Sequence, residues 1–451
     1  MVFSKENNAL NRRLSFFLVS CLTFIYIYSP TVKYIPVTLG TWAGLAIIIW
    51  TILAWPNDLK KFLSRKIVAY LGLSIFSLAL YLTFLDLTYG LSGDQLKDIY
   101  FFALNSMKAW RIAIELFLGS VCLAIIITKM AHNNENMISA LLYVVASIQF
   151  IAVIAMIISP GLRDMWLFSI QKTDAFSFDD SLTLIRGYGI SSNYLFDFPV
   201  FNGFLTLLVL AEIFFKRIAL SKGFVLIIIA IVPIFLNARI GLLVPIIFLI
   251  YILLSNFEPR KLFIFIILSG MVIGLIDFIE KNDYFWETSL MQNYEWLSEG
   301  FYNHIAIFDG GQLHGTTLGN LLESIYIPQT FFGILAGEGR YIFANPSESI
   351  TSDIGYIQQL FFGGLIYVTW ANSSIWIFLI MLSIKTKDAM YKTVFITSAI
   401  AFSLVHFKGN IFSVNEFTKG VFLVSFIALA TQQFTKRPPA KAGGVAPGAV
   451  D

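Results

Sequence analysis

Three arginines stand beside glycines at the edges of apolar runs: Arg186 in Arg186-Gly187-Tyr188-Gly189, Arg239 in Asn237-Ala238-Arg239, and Arg340 just after Gly337-Glu338-Gly339. A guanidinium in hydrocarbon costs about 2.5–3.5 kcal/mol at a helix centre, so it normally faces a protein cavity and a partner. Its planar fork grips phosphate oxygens two at a time and does not deprotonate, which suits a diphosphate. The plainer alternative is snorkelling to the interface or pairing with an internal acid. Arg239 has no acid near it in sequence, so the functional reading is favoured there, while Arg186 and Arg340 stay evenly balanced.

Groups able to take a proton near neutral pH are few. His132 sits beside Asn133 and Asn134 and reads as solvated surface; His304 and His314 fall in a long polar segment, and His406 lies near a span end close to Lys408. Each of the last three is a candidate base, although a lone histidine more often has a structural role. Glu338 and Asp353 are candidate carboxylates. Thr351-Ser352-Asp353 directly precedes a long apolar run, so Asp353 is either a helix N-cap or a substrate-facing acid.

The elements that must hold these residues are apolar. Of 451 residues, 57% are hydrophobic and 13% charged, and mean hydropathy is +0.76, a membrane-protein composition. A spanning helix needs roughly 20 apolar residues. Candidate spans lie near 14–30, 36–55, 67–86, 109–129, 137–158, 198–215, 223–237, 240–255, 262–277, 355–383, 393–408 and 417–431. The fold expected is therefore all-α, a polytopic integral membrane protein with about twelve transmembrane helices. Lys and Arg concentrate in short connections on one side, including Lys60, Lys61, Arg65, Lys66, Lys216, Arg217, Lys385 and Lys387, which places that side and both termini in the cytoplasm. The first apolar run reads as a retained span, since no small-residue cleavage site follows it.

Two long segments then face outward, 159–197 and 278–353. In the second, ten acids face only Lys281 and Arg340, and Tyr284, Phe285, Trp286, Tyr294 and Trp296 interleave with them. Carboxylates and rings together suit sugars; a helix lying on the membrane interface would look similar. Residues 438–451 are Pro, Ala, Gly and Val rich without helical period and read as a flexible tail foreign to the fold.

No phosphate loop, zinc-protease, Cys-x-x-Cys or nucleophile-elbow motif occurs, and the Gly333, Gly337, Gly339 spacing reads as a turn rather than a dinucleotide fingerprint. An Asp-x-Asp pair for a metal-bound nucleotide sugar is also lacking, so a transferase of this sequence is expected to work without metal. Cys21 and Cys122 sit in apolar runs where packing is their ordinary role, and a net charge of +3 without a dense basic stripe makes nucleic acid an unfavoured partner.

Three stretches, in this order, carry a family resemblance: Arg186-Gly187-Tyr188-Gly189-Ile190-Ser191-Ser192-Asn193; Asn237-Ala238-Arg239-Ile240-Gly241-Leu242-Leu243; and Phe332-Gly333 through Gly337-Glu338-Gly339, then Ser352-Asp353-Ile354-Gly355-Tyr356 and Gly363-Gly364. With the architecture, they resemble the O-antigen polymerase (Wzy-type) family, part of a group that includes the O-antigen ligases. Ligases usually have a histidine where this chain runs Ser352-Asp353-Ile354-Gly355, a departure that favours the polymerase.

The resemblance implies a glycosyltransferase of the bacterial inner membrane in lipopolysaccharide biosynthesis. It would join oligosaccharide repeat units carried on undecaprenyl diphosphate at the periplasmic face, without cofactor or metal, with a polysaccharide co-polymerase as an implied possible partner. Residues 1–437 would form the polymerase domain, and 159–197 and 278–353 its periplasmic loops. Arg186, Arg239 and Arg340, with Tyr356 and Asn193, would hold the diphosphate and substrate, and Glu338, Asp353, His304 and His314 are the candidate bases. Ligation to lipid A-core, and transport of a lipid-linked oligosaccharide, are the alternatives.

Overall fold

A backbone shielded from water must satisfy its own N–H and C=O groups, and a single apolar run does so most simply as a helix. In the computed structural model every regular element among the described residues is helical. The structure describes residues 5–30, 32, 38–91, 107–130, 135–159, 161–162, 165–166, 189–191, 197–237, 239–255, 270, 324–339, 342 and 352–434.

The main helices are α1 (Lys5–Tyr28), α2 (Leu39–Ala54), α3 (Pro56–Leu63), α4 (Lys66–Leu91), α5 (Met107–Met130), α6 (Glu135–Ile158), α7 (Asp197–Phe214), α8 (Leu220–Phe235), α9 (Leu243–Ser255), α10 (Phe331–Ala336), α11 (Gly355–Lys385), α12 (Ala389–His406) and α13 (Glu416–Phe434). Six helices among the described residues are long and apolar enough to cross a membrane, or seven if α2 and α3, bent by 107°, form one broken span. Each apolar run read from the sequence coincides with a helix except the one near 262–277, which lies almost wholly outside the described residues. The other six runs do not pass as full spans: α8, α9 and the apolar part of α1 are shorter, α2 passes only together with α3, α13 is not among the six, and the run near 262–277 lies almost wholly outside the described residues.

Helix α3 was not foreseen. Its Lys60 and Lys61 read as loop, yet Pro56 occupies the first turn, where its missing N–H costs nothing, and Phe62 is buried. The helix is amphipathic and turns away from α2 at the basic end of the molecule.

Ion pairs and hydrogen bonds distinguish the two ends of the bundle. At one end Lys129 pairs with Asp58 at 2.7 Å, Arg65 donates to the Leu429 carbonyl at 2.8 Å, and Arg217 pairs with Asp388. These residues close α5, α13 and α7 and flank α3 and α12. The same helices begin or end at the other pole with Glu115, Glu416, Lys419, Asp197 and His406.

Two glycine positions shape that second pole. At the Asn237–Leu243 junction, a 3-10 turn over Arg239–Leu242 packs so closely on α7 that a Cβ on Gly241 would overlap the Pro199 carbonyl, and one on Gly203 would overlap the Gly241 carbonyl. In α11 the helix breaks at Gly363 and Gly364, the latter at φ 69°. The freed carbonyls find partners outside the helix: Glu338 N donates to Phe361 O at 2.8 Å, and the Tyr81 hydroxyl donates to Gly363 O at 3.1 Å. The short helix α10 and the Gly337–Gly339 turn, with φ of 84° and 65°, dock on this break; the turn read from the glycine spacing holds for Gly337 and Gly339, while Gly333 lies inside α10.

Candidate functional site

Apolar helices bring charge together at the second pole. Near the start of α5, residues Ile112–Leu118 form a π-turn, a local widening often found at functional sites. It presents Arg111 and Glu115 one turn apart, and the Glu115 Oε2 accepts from Arg111 Nη2 at 2.9 Å, Arg111 Nε at 3.1 Å and the Thr41 hydroxyl at 2.6 Å. The other carboxylate oxygen accepts from Lys419 Nζ at 2.7 Å. Lys419 is 0% exposed, and its ammonium also donates to the Tyr26 carbonyl at 2.8 Å and to the Ser29 hydroxyl. All three ammonium donors are thus used, which is what a buried lysine requires.

Arg111 differs from Lys419. Its side chain is 36% exposed, and the Glu115 and Thr41 bonds occupy Nε and Nη2. The guanidinium is held by its Nε and Nη2 while the side chain stays partly exposed, so it is oriented before any anion arrives.

A carboxyl pair lies on neighbouring helices. Asp197 opens α7 and Glu416 opens α13; both are buried, and each lies within electrostatic reach of the other. Tyr28 at the end of α1 also feels Glu416. The Ser191 hydroxyl donates to Glu416 Oε1 at 2.6 Å, and Gln149 of α6 accepts from Ile190 N at 3.0 Å. Gly189 takes φ 57° against that glutamine side chain. Gly189-Ile190-Ser191, the middle of the first resemblance stretch, is therefore fastened onto the carboxyl pair. Glu416 and Lys419 sit three residues apart, one turn of α13, so the acid pair and the cation network share a helix.

His406 ends α12 fully buried. Its Nδ1 accepts from Ile411 N at 3.2 Å, which leaves the ring proton on Nε2, an atom with no hydrogen-bond partner among the described residues. Tyr356 packs edge-on against the imidazole at 4.3 Å between ring centres and donates its hydroxyl to the Ser403 carbonyl at 3.2 Å. A chain of amides runs alongside, Asn372 Nδ2 to Gln359 Oε1 at 3.0 Å and Gln359 Nε2 to Asn410 at 3.2 Å.

The residues singled out from sequence divide clearly. Arg186, Asn193, Arg340, His304 and His314 lie outside the described residues, and Arg239 is described only as the start of the 3-10 turn. Asp353 does not cap α11, whose N-cap is Ile354; Asp353 pairs with Lys408 at 3.0 Å and is 55% exposed, while Ser352 accepts from Ile354 N. Glu338 sits on the turn against the α11 break, and Tyr356 is committed to His406 and Ser403. Asn237 is buried, and neither amide atom has a hydrogen-bond partner among the described residues.

Arg111, Glu115, Lys419, Asp197 and Glu416 escaped the sequence reading, which looked for charge in the loops. The signal was available: each is an ionisable residue inside, or at the first residue of, an apolar run, and such residues mark function or a buried partner by default. No group of three or more potential metal ligands occurs among the described residues. No family model, no characterised protein and no solved structure matches the chain.

Proposed function

We propose that the chain is a lipid-linked oligosaccharide polymerase, a glycosyltransferase that extends an O-antigen-type polysaccharide at the outer face of the bacterial inner membrane. The observation that carries this reading is one pole at which a pre-oriented, half-exposed Arg111 stands in a network with Lys419, whose helix also carries one member of a buried carboxyl pair. Support also comes from the three resemblance stretches, one of which docks on that pair through Ser191.

The chemistry needs few groups. A hydroxyl oxygen of the acceptor sugar attacks the anomeric carbon of the donor repeat unit, and the bond from that carbon to the diphosphate oxygen breaks with both electrons leaving on the lipid diphosphate. Arginine stabilises the charge that develops there. In our reading Arg111 joins Arg186, Arg239 and Arg340 in that role. The hydroxyl proton passes to a carboxylate. The Asp197–Glu416 pair suits this better than Asp353, which is exposed and neutralised by Lys408. Two lipid-linked chains are brought together mainly by positioning, for which the outward loops 159–197 and 278–353 are suited. We read the fold as about twelve spans with cytoplasmic termini.

A second reading is transport of a lipid-linked oligosaccharide, favoured by the full burial of Glu115 and Lys419 and by the broken α11, features that also occur in transporters. The test is the ladder of cell-surface glycan from a deletion strain complemented with wild type, Arg111→Gln or Glu416→Gln at matched protein levels. Loss of long chains with a single-repeat cap retained supports polymerisation. Loss of all capped material points to the ligase or the transporter, which a vesicle assay of transbilayer movement then separates, and an unchanged ladder removes these residues from the mechanism.

A further inference from the structure

From Ile325 to Gly337 the chain carries no charged residue, and α10 lies at the end of this stretch. Its backbone is served without water: Thr330 caps it by accepting from Gly333 N at 2.9 Å, and Gly337 N donates to Gly333 O at 2.9 Å. Two faces differ in burial. Gly333 and Ala336, three residues apart, are buried, while Phe331, Phe332 and Leu335 are exposed, Phe331 at 80% and Phe332 at 57%. The seat on α11 is backbone against backbone. A Cβ on Gly337 would overlap Gly363 and Gly364, and one on Gly364 would overlap the Leu335 carbonyl. That fit fixes the helix, so the two rings are held outward.

The depth of the seat decides what meets them. The Tyr81 hydroxyl of α4 touches both partners, at 3.1 Å from Gly363 O and 3.3 Å from Ala336 O. Along α4, Tyr81 lies about 22 Å from Lys66 at the basic end, and along α11, Gly363 lies about 33 Å from Lys385, at 1.5 Å per residue. The hydrocarbon layer of a bilayer is about 30 Å thick. Both measures put the seat in the outer third of that layer or at its rim. Leu80, Phe84 and Leu87 of α4 are exposed in the same region, so the uncovered face of α10 continues the apolar surface of a helix long enough to span. Tyr326, a residue type enriched where hydrocarbon meets headgroups, precedes it.

We propose that α10 is a membrane anchor: Phe331, Phe332 and Leu335 enter the outer leaflet, lie against phospholipid acyl chains, and pin the end of the outward segment to the bilayer beside the α11 break. The inference rests on α4 and α11 crossing the bilayer and is independent of the polymerase reading.

The test uses the purified wild-type chain in phospholipid nanodiscs whose lipid carries a photoactivatable diazirine on the acyl chain close to the ester. After irradiation and proteolysis, adducts are mapped by mass spectrometry. Adducts are expected on Phe331 or Phe332 at a yield within about threefold of that at Phe84, since both sites face the same layer. Labelling of Phe84 without α10 overturns the proposal and means that another part of the chain, or a second copy, covers that face. Labelling of neither overturns it together with the span assigned to α4. A second measurement reads the anchoring itself. In Phe331→Asp with Phe332→Asp, amide hydrogen exchange across 331–336 should speed up about tenfold while the α4 peptides keep wild-type rates; unchanged exchange over α10 overturns the proposal.

Discussion

Replacing Lys419 with methionine removes the one cation among the described residues that is wholly inside the bundle. The ammonium makes three hydrogen bonds, to Tyr26 O, the Ser29 hydroxyl and Glu115 Oε1, and methionine keeps most of the side-chain volume while losing all three. Breaking a buried pair from one side costs about 3–5 kcal/mol, because the remaining charge stays buried. Here the lower end applies, since Arg111 and Thr41 still hold Glu115 Oε2. Lys419→Met is therefore expected to lose about 3 kcal/mol. Removing both charges, Glu115→Gln with Lys419→Met, leaves no uncompensated buried carboxylate and should come within about 1 kcal/mol of wild type, since neutral replacements of buried pairs are often tolerated. Glu115→Gln leaves the Lys419 ammonium buried without its anion and should by itself cost about 3 kcal/mol, so the coupling energy from the full cycle should be about 5 kcal/mol. Equilibrium unfolding in mixed micelles, followed by tryptophan fluorescence and repeated for wild type, both single variants and the double, measures it. A double variant whose loss equals the sum of the two single losses would refute the reasoning, and so would a Lys419→Met protein as stable as wild type.

Three further outcomes follow from the packing. Lys129→Ala breaks an ion pair whose partners are each about 30% exposed, so it should change stability by no more than about 1 kcal/mol in the same assay, a control for the buried pair. Gly241→Ala forces a methyl against the Pro199 carbonyl and should cost about 1–3 kcal/mol or reduce the folded yield, read by size exclusion and melting; a wild-type Tm would mean that the 3-10 turn is not pressed against α7. Cys122 is buried and Cys21 half-buried, so in intact folded protein a maleimide should label Cys21 slowly and Cys122 only after denaturation; rapid labelling of both would contradict the position of α5 in the core.

Much of the scaffold was legible in the residues. Apolar runs such as 198–215 and 109–129 became α7 and α5 within a residue or two, because leaving water and closing backbone hydrogen bonds are decided locally. The Gly333, Gly337, Gly339 spacing read as a turn for an equally local reason, positive φ at two of the three. Asp353 shows where local reasoning ended. Its place before α11 suggested a cap, but the backbone N–H of Ile354 is served by Ser352, and a lysine 55 residues away took the carboxylate.

The sequence by itself determined which segments are apolar helices, where most of them start and stop, and that charges stand inside several of them. It did not say which charges meet. Glu115 and Lys419 are 304 residues apart, and Ser191 and Glu416 are 225 apart. Hydropathy reports only that a helix leaves water, and the same apolar surface would accept many neighbours. The pairing of α5 with α13 is decided when the bundle closes, because a buried carboxylate and a buried ammonium are each costly alone and tolerable only against each other.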